Sequence, residues 1–157
     1  MRPGIAIVLI VAAAACSPTT TLGQGEDPLA ATVLFTTDTG EVRVNFLRFA
    51  DTPEARAHGL MGIEDLAKDE GMLFVYGEPT QGGFWMKDTL IPLDIAFWGE
   101  DGLIHTITRM APCDLGDDCP EYVPDEPYIA ALEMNAGWFA HHGVEEGDRA
   151  DGRLVSS

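Results

Sequence analysis

Serine is nearly absent from this sequence, and its scarcity excludes one class of enzyme. Among 157 residues, serine occurs only at positions 17, 156 and 157, outside the region in which strands and helices are predicted. A Ser-His-Asp system, in which a histidine activates a serine hydroxyl, therefore has no nucleophile. A glycine-rich loop between a strand and a helix is also missing, which argues against a nucleotide-binding site.

Basic residues are scarce as well. The sequence has 9 Lys and Arg against 26 Asp and Glu, and its formal net charge is −17 at pH 7. Such a chain repels nucleic-acid backbones and anionic lipid surfaces, so we expect neither as a partner. Lysine occurs only at positions 68 and 87, which draws attention to Lys87 in the otherwise apolar segment GGFWMKDTLIPLDIAFW.

The apolar run at residues 5–15 is too short to cross a membrane, because as a helix it would span only roughly 16 Å. It follows a basic start and ends in small residues, as expected for a secretory signal peptide at residues 1–15. The next residue, Cys16, resembles the lipid-accepting cysteine of bacterial lipoproteins, although Ala13 stands where leucine is commoner. We therefore expect an exported lipoprotein, periplasmic or in the outer membrane, that contacts the membrane only through its lipid. Ordinary signal-peptide cleavage without lipid is the alternative.

The other two cysteines, Cys113 and Cys119, lie in the segment PCDLGDDCP. In an exported protein we expect them to form a disulfide, and closing so short a loop stabilises the fold by about 2 kcal/mol. The aspartates of this loop lack the DxDxDG spacing and the glutamate of a calcium-binding loop. We therefore expect a solvated acidic loop, and no cofactor is predicted.

The pattern of polar and apolar residues predicts a single domain at residues 31–155, preceded by a flexible tether at residues 16–30 that is rich in Thr, Gly and Pro. Alternating apolar residues on either side of Asp38-Thr39-Gly40 predict a hairpin, with Val42 and Val44 facing the core. Thr52 followed by Pro53 predicts the start of a short helix that runs to residue 61.

The rest of the domain shows further strand patterns and a second short helix. Strands are predicted at residues 72–76, 84–86, 93–98, 103–110, 128–134 and 144–150, and a helix at residues 138–143. Strands in succession with one or two short helices indicate an α+β domain, mainly antiparallel, with a curled sheet or a small barrel.

Two carboxylates interrupt strands that are otherwise apolar on both faces. Asp94 lies in LDIAFW and Glu133 lies in YIAALEM, and a buried carboxylate requires a partner or takes up a proton. In the structural interpretation, Lys87 pairs with one of them while Asp88 and Thr89 cap a turn. In the functional interpretation, the following residues line a ligand-binding pocket: Trp85, Lys87, Asp88, Thr89, Asp94 and Glu133.

Three kinds of function are compatible with these residues. Since no nucleophile–base spacing is present, the favoured hypothesis is a non-catalytic, monomeric binding or accessory module that takes a small molecule or an envelope protein. A carboxylate-dependent hydrolase would use Asp94 and Glu133 as acid and base. A soft-metal protein would use His58 and Met61, three residues apart on the predicted helix, together with Met86, because imidazole and thioether ligands suit Cu(I).

Three segments resemble successive landmarks of one protein family. They are HGLMGIEDLAKDEGMLFVY, GFWMKDTLIPLDIAFWGEDGLI and ALEMNAGWFAHHGVEEGD. They resemble the bacterial and archaeal domain of unknown function family 192, in a match from about residue 56 to residue 148. The resemblance implies a compact β-rich domain that is often exported or lipid-anchored, and it assigns no catalytic residues. The acidic cystine loop at residues 112–120 departs from the family pattern.

Overall fold

The computed structural model describes residues 30–46 and 48–155. The predicted signal peptide, Cys16 and the tether up to residue 29 lie outside the described residues. The strands are β1 (Ala30–Thr37), β2 (Gly40–Phe46), β3 (Arg48–Ala50), β4 (Gly71–Thr80), β5 (Phe84–Trp85), β6 (Leu93–Trp98), β7 (Ile104–Met110), β8 (Glu121–Tyr122), β9 (Tyr128–Asn135) and β10 (Arg149–Val155). The helices are α1 (Pro53–His58), α2 (Trp138–His142) and a short 3-10 helix, Gly116–Asp118.

The strands form a central five-stranded sheet in the order β3-β4-β9-β6-β7, a three-stranded sheet in the order β10-β1-β2, and a small ribbon of β5 and β8. Neighbouring strands are antiparallel except β3 and β4, which are parallel. The sheets do not close into a barrel. The predicted fold class, α+β with curled and mainly antiparallel sheets, is confirmed.

The central sheet is buried on both faces. One face packs against the three-stranded sheet and α2, in a core that includes Phe35, Trp98, Leu132 and Phe139, which we call the α2 side. The other face packs against the segment from α1 onward and the β5 strand, in a core that includes Phe74, Phe84, Ile95 and Phe97, which we call the α1 side. A polar side chain on the middle strands therefore lies in one of two separate cores.

Helix α1 begins where the sequence predicts and ends earlier. Thr52 is its N-cap, with Oγ1 accepting a hydrogen bond from the Ala55 amide at 3.2 Å, and Pro53 occupies the first turn. The helix stops at His58 because Gly59 takes a positive φ of 51°, which glycine adopts most easily. The predicted continuation to residue 61 is wrong, and Met61 lies in the turn that follows.

The hairpin of β1 and β2 and the hairpin of β6 and β7 match the predicted pairs of strands. The last strand is displaced: it begins at Arg149, whereas the pattern predicted a start at residue 144. Residues 145–148 form a turn instead, in which Asp148 accepts a hydrogen bond from the Glu145 amide at 2.8 Å. No helix in the described part of the chain has the length and apolar character that a membrane crossing requires.

Candidate functional site

The segment FWMKDT leaves β5 in a tight turn. The Thr89 amide donates to the Met86 carbonyl at 3.1 Å, and Asp88 takes the left-handed conformation with φ of 54°. The Asp88 carbonyl accepts a hydrogen bond from the Gly62 amide at 2.8 Å, which ties the turn to the segment after α1. The expected turn at Asp88 and Thr89 is therefore present, and both residues have structural contacts there.

Lys87 does not pair with Asp94 or Glu133, so that part of the structural interpretation is wrong. Its ammonium donates to Asp117 at 2.5 Å and lies 5.2 Å from the centroid of the Trp85 ring. This hydrogen bond raises the pKa of Lys87 and lowers that of Asp117. The reason is the cystine loop: Cys113, which the structure joins to Cys119 in the predicted disulfide, lies beside Lys87 as a β-bridge.

Asp94 is held by partners on the α2 side of the sheet. One carboxylate oxygen accepts from Arg109 Nε, and the other accepts from Arg109 Nη2 at 3.2 Å and from the Gly137 amide at 2.6 Å. The hydrogen bond to Asp94 raises the pKa of Arg109. Sequence reasoning missed Arg109, although the predicted hairpin places residue 109 near residue 94. Asp94 thus connects β6, β7 and the start of α2.

Glu133 faces the α1 side, and the described residues provide no such partners for it. Its register neighbours on the adjacent strands are Met72 and Ile95, both apolar. The residue is 4% exposed, and Oε2 has no hydrogen-bond partner among the described residues. Burial, with no compensating contact, raises the pKa of Glu133 to about 8. At neutral pH this carboxyl group is therefore mostly protonated.

The hydrolase hypothesis required Asp94 and Glu133 to act together, and the structure places them on opposite faces of the central sheet. Asp94 pairs in register with Met134, the residue after Glu133, and side chains of successive strand residues point to opposite faces. The two carboxyl groups therefore cannot act as an acid–base pair on one substrate.

Glu133 lines a cavity of about 250 Å³ between α1 and the central sheet, which we call the α1 cavity. Its other polar lining residues are Arg56 and His58 from α1, and its aromatic lining residues are Phe74, Tyr76, Phe84 and Trp85. Of the six predicted site residues, Trp85 and Glu133 meet in this cavity, whereas Lys87, Asp88, Thr89 and Asp94 do not line it.

Arg56 is a lining residue that the sequence analysis missed. Its guanidinium lies 4.6 Å from the centroid of the Tyr76 ring, and Nη1 donates to the carbonyls of Asp51 at 2.6 Å and Val75 at 3.0 Å. These contacts fix the guanidinium at the wall of the cavity. The sequence indicated only that Arg56 lies on a polar helix after Thr52-Pro53, and the fold places it in the lining of the same cavity as Glu133.

The soft-metal hypothesis stays a prediction, and the Met61 amide donates to the His58 carbonyl at 3.2 Å in the turn after α1. His58 is the last residue of α1 and lines the α1 cavity, whereas Met61 lies beyond the end of the helix. Met86 is completely buried and belongs to the α1-side core. The described residues also contain no group of three or more His, Cys, Asp or Glu side chains arranged to hold a metal ion.

The fold and the cavity define a small α+β domain with curled sheets and, on its α1 side, a buried carboxyl group with one oxygen that no described residue hydrogen-bonds. The profile of the DUF192 family, described as an uncharacterized ACR, matches residues 34–152, so the chain belongs to this family and the predicted resemblance is confirmed. No protein with a curated description matches the sequence.

Solved structures share this fold. A protein from Sinorhizobium meliloti 1021, described as a candidate transcription regulator, is 36% identical with a TM-score of 0.72, and the match covers 82% of this chain and 98% of that one. A protein of unknown function from Novosphingobium aromaticivorans DSM 12444 is 32% identical with a TM-score of 0.70, and the match covers 78% of this chain and 84% of that one.

Proposed function

We propose that this protein is an exported, lipid-anchored module of the cell envelope that binds a small molecule in the α1 cavity without catalysing a reaction. The observation that carries the proposal is Glu133. A carboxyl group that is 4% exposed and has an oxygen without a hydrogen-bond partner destabilises the fold, and an apolar residue there would not. A ligand that pairs with this group would give it a function.

The lining of the cavity combines aromatic side chains with polar groups, and its accessible surface is slightly more polar than apolar. Small-molecule sites orient their ligand through a few polar groups set among aromatic and apolar side chains. Here the walls are Phe74, Tyr76, Phe84 and Trp85, and the polar groups come from α1 and from Glu133. A volume of about 250 Å³ lies just below the usual range for drug-sized ligands, so a compact ligand is favoured.

Export and anchoring rest on the sequence. The apolar run at residues 5–15 follows a basic start and ends directly before Cys16, as in bacterial lipoproteins. The disulfide between Cys113 and Cys119 is consistent with an oxidising compartment. A net charge of −17 gives the protein no electrostatic affinity for anionic lipid, so in this proposal the lipid on Cys16 alone holds it at the membrane.

A regulatory function at DNA, which the description of the S. meliloti relative raises, is not favoured for this chain. Binding to duplex DNA requires a basic surface that neutralises phosphates. With 9 basic and 26 acidic residues, this sequence does not provide one.

Mass spectrometry of the protein purified from the envelope of its own host tests both parts of the proposal. Under native conditions we expect a co-purifying mass that disappears on denaturation, is lost in Glu133→Gln, and is retained in Asp114→Asn, whose exposed side chain lies in the cystine loop and does not line the cavity. The absence of such a mass in wild type, or its presence in Glu133→Gln, would overturn the binding function. The denatured mass reports separately whether Cys16 carries lipid, and an unlipidated mature chain would refute the anchor alone.

A further inference from the structure

We infer that the ligand of the α1 cavity is a small organic ammonium compound whose positively charged nitrogen binds the carboxylate of Glu133. This inference rests on the proposed binding function and adds the chemical class of the ligand. It draws on the unpartnered carboxyl group, on the aromatic walls and on the charge of the whole chain.

The first argument is that the buried carboxyl group of Glu133 lacks a hydrogen-bond donor and a positive charge beside it among the described residues. Glu133 lies on β9, a middle strand, with apolar neighbours on both sides, and none of the described residues donates to Oε2. An ammonium group supplies both things that are missing, since it carries a positive charge and three hydrogen-bond donors. A bound amine would therefore convert an isolated carboxyl group into a buried, hydrogen-bonded ion pair.

The second argument is the aromatic character of the walls. Ring faces attract cations, and two of the four aromatic side chains that line the cavity already do so within the protein. The Arg56 guanidinium lies 4.6 Å from the Tyr76 centroid, and the Lys87 ammonium lies 5.2 Å from the Trp85 centroid. A ligand cation within the cavity lies among rings of the same kind, with Phe74 and Phe84 packed edge to face at 4.9 Å.

Arg56 does not remove the need for an external cation. It lines the same cavity, but its Nη1 donates to the Asp51 and Val75 carbonyls. Among the described residues, no hydrogen bond or ion pair joins the guanidinium to the carboxyl group of Glu133. A ligand ammonium can bind at Glu133 while a polar group at its other end faces Arg56.

The third argument is long-range attraction. With a net charge of −17, the protein attracts cations and repels anions, so an ammonium compound approaches the cavity favourably. A cavity of about 250 Å³ has room for a compact amine and excludes bulky ones.

The test uses methylammonium chloride as the smallest organic ammonium probe, with sodium chloride at equal ionic strength as the control. The carboxyl ¹³C signal of Glu133 is followed through a pH titration by NMR and assigned with Glu133→Gln. We expect saturating methylammonium to lower the midpoint of this titration by at least about one pH unit, because binding to the carboxylate favours ionisation. Sodium is expected to leave it within a few tenths of a unit of its value without added salt.

The same linkage predicts the pH dependence of binding. Methylammonium affinity should rise roughly tenfold per pH unit below about pH 8 and become constant above it. Because His58 and Tyr76 also line the cavity, the titration is repeated in His58→Gln and Tyr76→Phe, where the dependence should persist.

An unchanged Glu133 midpoint in methylammonium would overturn the inference. Methylammonium affinity that falls as the pH rises from about 5 to about 8 would overturn it too, because the site would then prefer the protonated acid to the carboxylate. Either result would leave the proposed binding function intact as long as mass spectrometry finds a ligand that Glu133→Gln loses.

Discussion

Asp94 and Glu133 lie on adjacent strands of one sheet and are almost equally buried, at 5% and 4% exposure, yet their surroundings are opposite. Asp94 accepts three hydrogen bonds, two from Arg109 and one from the Gly137 amide. Glu133 has apolar neighbours and an oxygen without a partner among the described residues. Burial alone therefore does not distinguish a structural carboxylate from a candidate site.

The difference lies in how completely each group is satisfied. Buried polar groups in folded proteins are almost always hydrogen-bonded, so a fully bonded carboxylate such as Asp94 is accounted for by the fold. An unsatisfied one calls for another explanation, and buried groups with shifted pKa values are concentrated at functional sites. Glu133 meets this criterion and lines the α1 cavity. Asp94 also lines a cavity, beside α2, but its hydrogen bonds connect two strands to a helix.

The largest effect is expected when the satisfied carboxylate is removed. Asp94→Ala leaves the Gly137 amide and Arg109 without their acceptor, so the free energy of unfolding should fall by roughly 3 kcal/mol. Urea denaturation monitored by circular dichroism measures it, with Asp114→Ala in the solvated cystine loop as a control that should change little. A loss below about 1 kcal/mol would mean that Asp94 is dispensable to the fold and would weaken the contrast with Glu133.

Removing the unsatisfied carboxyl group should raise the free energy of unfolding instead of lowering it. The pKa of Glu133 is about 8 in the folded protein against an ordinary 4.5, so the folded state binds more protons between these values. Wild-type stability should therefore fall as the pH rises from about 4.5 to about 8. Glu133→Gln has no carboxyl group to titrate. Its free energy of unfolding, relative to that of wild type, should therefore increase by roughly 2 kcal/mol as the pH rises from 5 to 7.

Urea denaturation of both proteins at a series of pH values checks this prediction, with Glu121→Gln on the exposed β8 strand as the control. A stability difference that stays constant with pH would show that Glu133 titrates normally in the folded protein. In that case its carboxyl group has a partner, and Glu133 no longer differs from Asp94 in being unsatisfied.

Much of the fold was predictable because strand periodicity and turn residues are local signals. The hairpin of β1 and β2, the start of α1 at Thr52-Pro53 and the burial of β6 on both faces all follow from such patterns. The last strand was displaced because Val144 continues an apolar pattern in the sequence, whereas the chain there forms a turn closed by Asp148. The local pattern of apolar residues did not distinguish a strand from a turn at these positions.

The candidate site was predictable only in part. The pattern identified Asp94 and Glu133 as buried carboxylates, but it paired one of them with Lys87, the cation nearest to Asp94 in sequence. The actual partner of Asp94 is Arg109, directly opposite on β7, and Lys87 is drawn away by Asp117 in the cystine loop. Arg56 and Glu133 line the α1 cavity although they are far apart in the sequence, and that placement depends on tertiary packing.

A smaller effect is expected at the wall of the α1 cavity. Gly59 has a φ of 51°, and an added Cβ would lie 3.7 Å from Phe74 Cζ, so Gly59→Ala fits sterically but strains the backbone. We expect a loss of about 1–2 kcal/mol with the Asp94 contacts preserved. Gly77→Ala, where a Cβ meets nothing within 4 Å, is the matched control for thermal denaturation. Equal effects of the two substitutions would mean that the conformation at Gly59 carries no strain.

The smallest effect is expected at Lys87, whose partner Asp117 has a side chain that is 85% exposed. Exposed ion pairs gain little from Coulomb attraction and are screened by salt, so Lys87→Met should lower Tm by no more than about 2 °C, and sodium chloride should abolish the difference. Arg109→Met, which removes the partner of a buried carboxylate, should lower Tm more and should resist salt. A large, salt-resistant decrease in Tm in Lys87→Met would place this lysine among the buried contacts of the α1 side. The candidate site would then include Lys87.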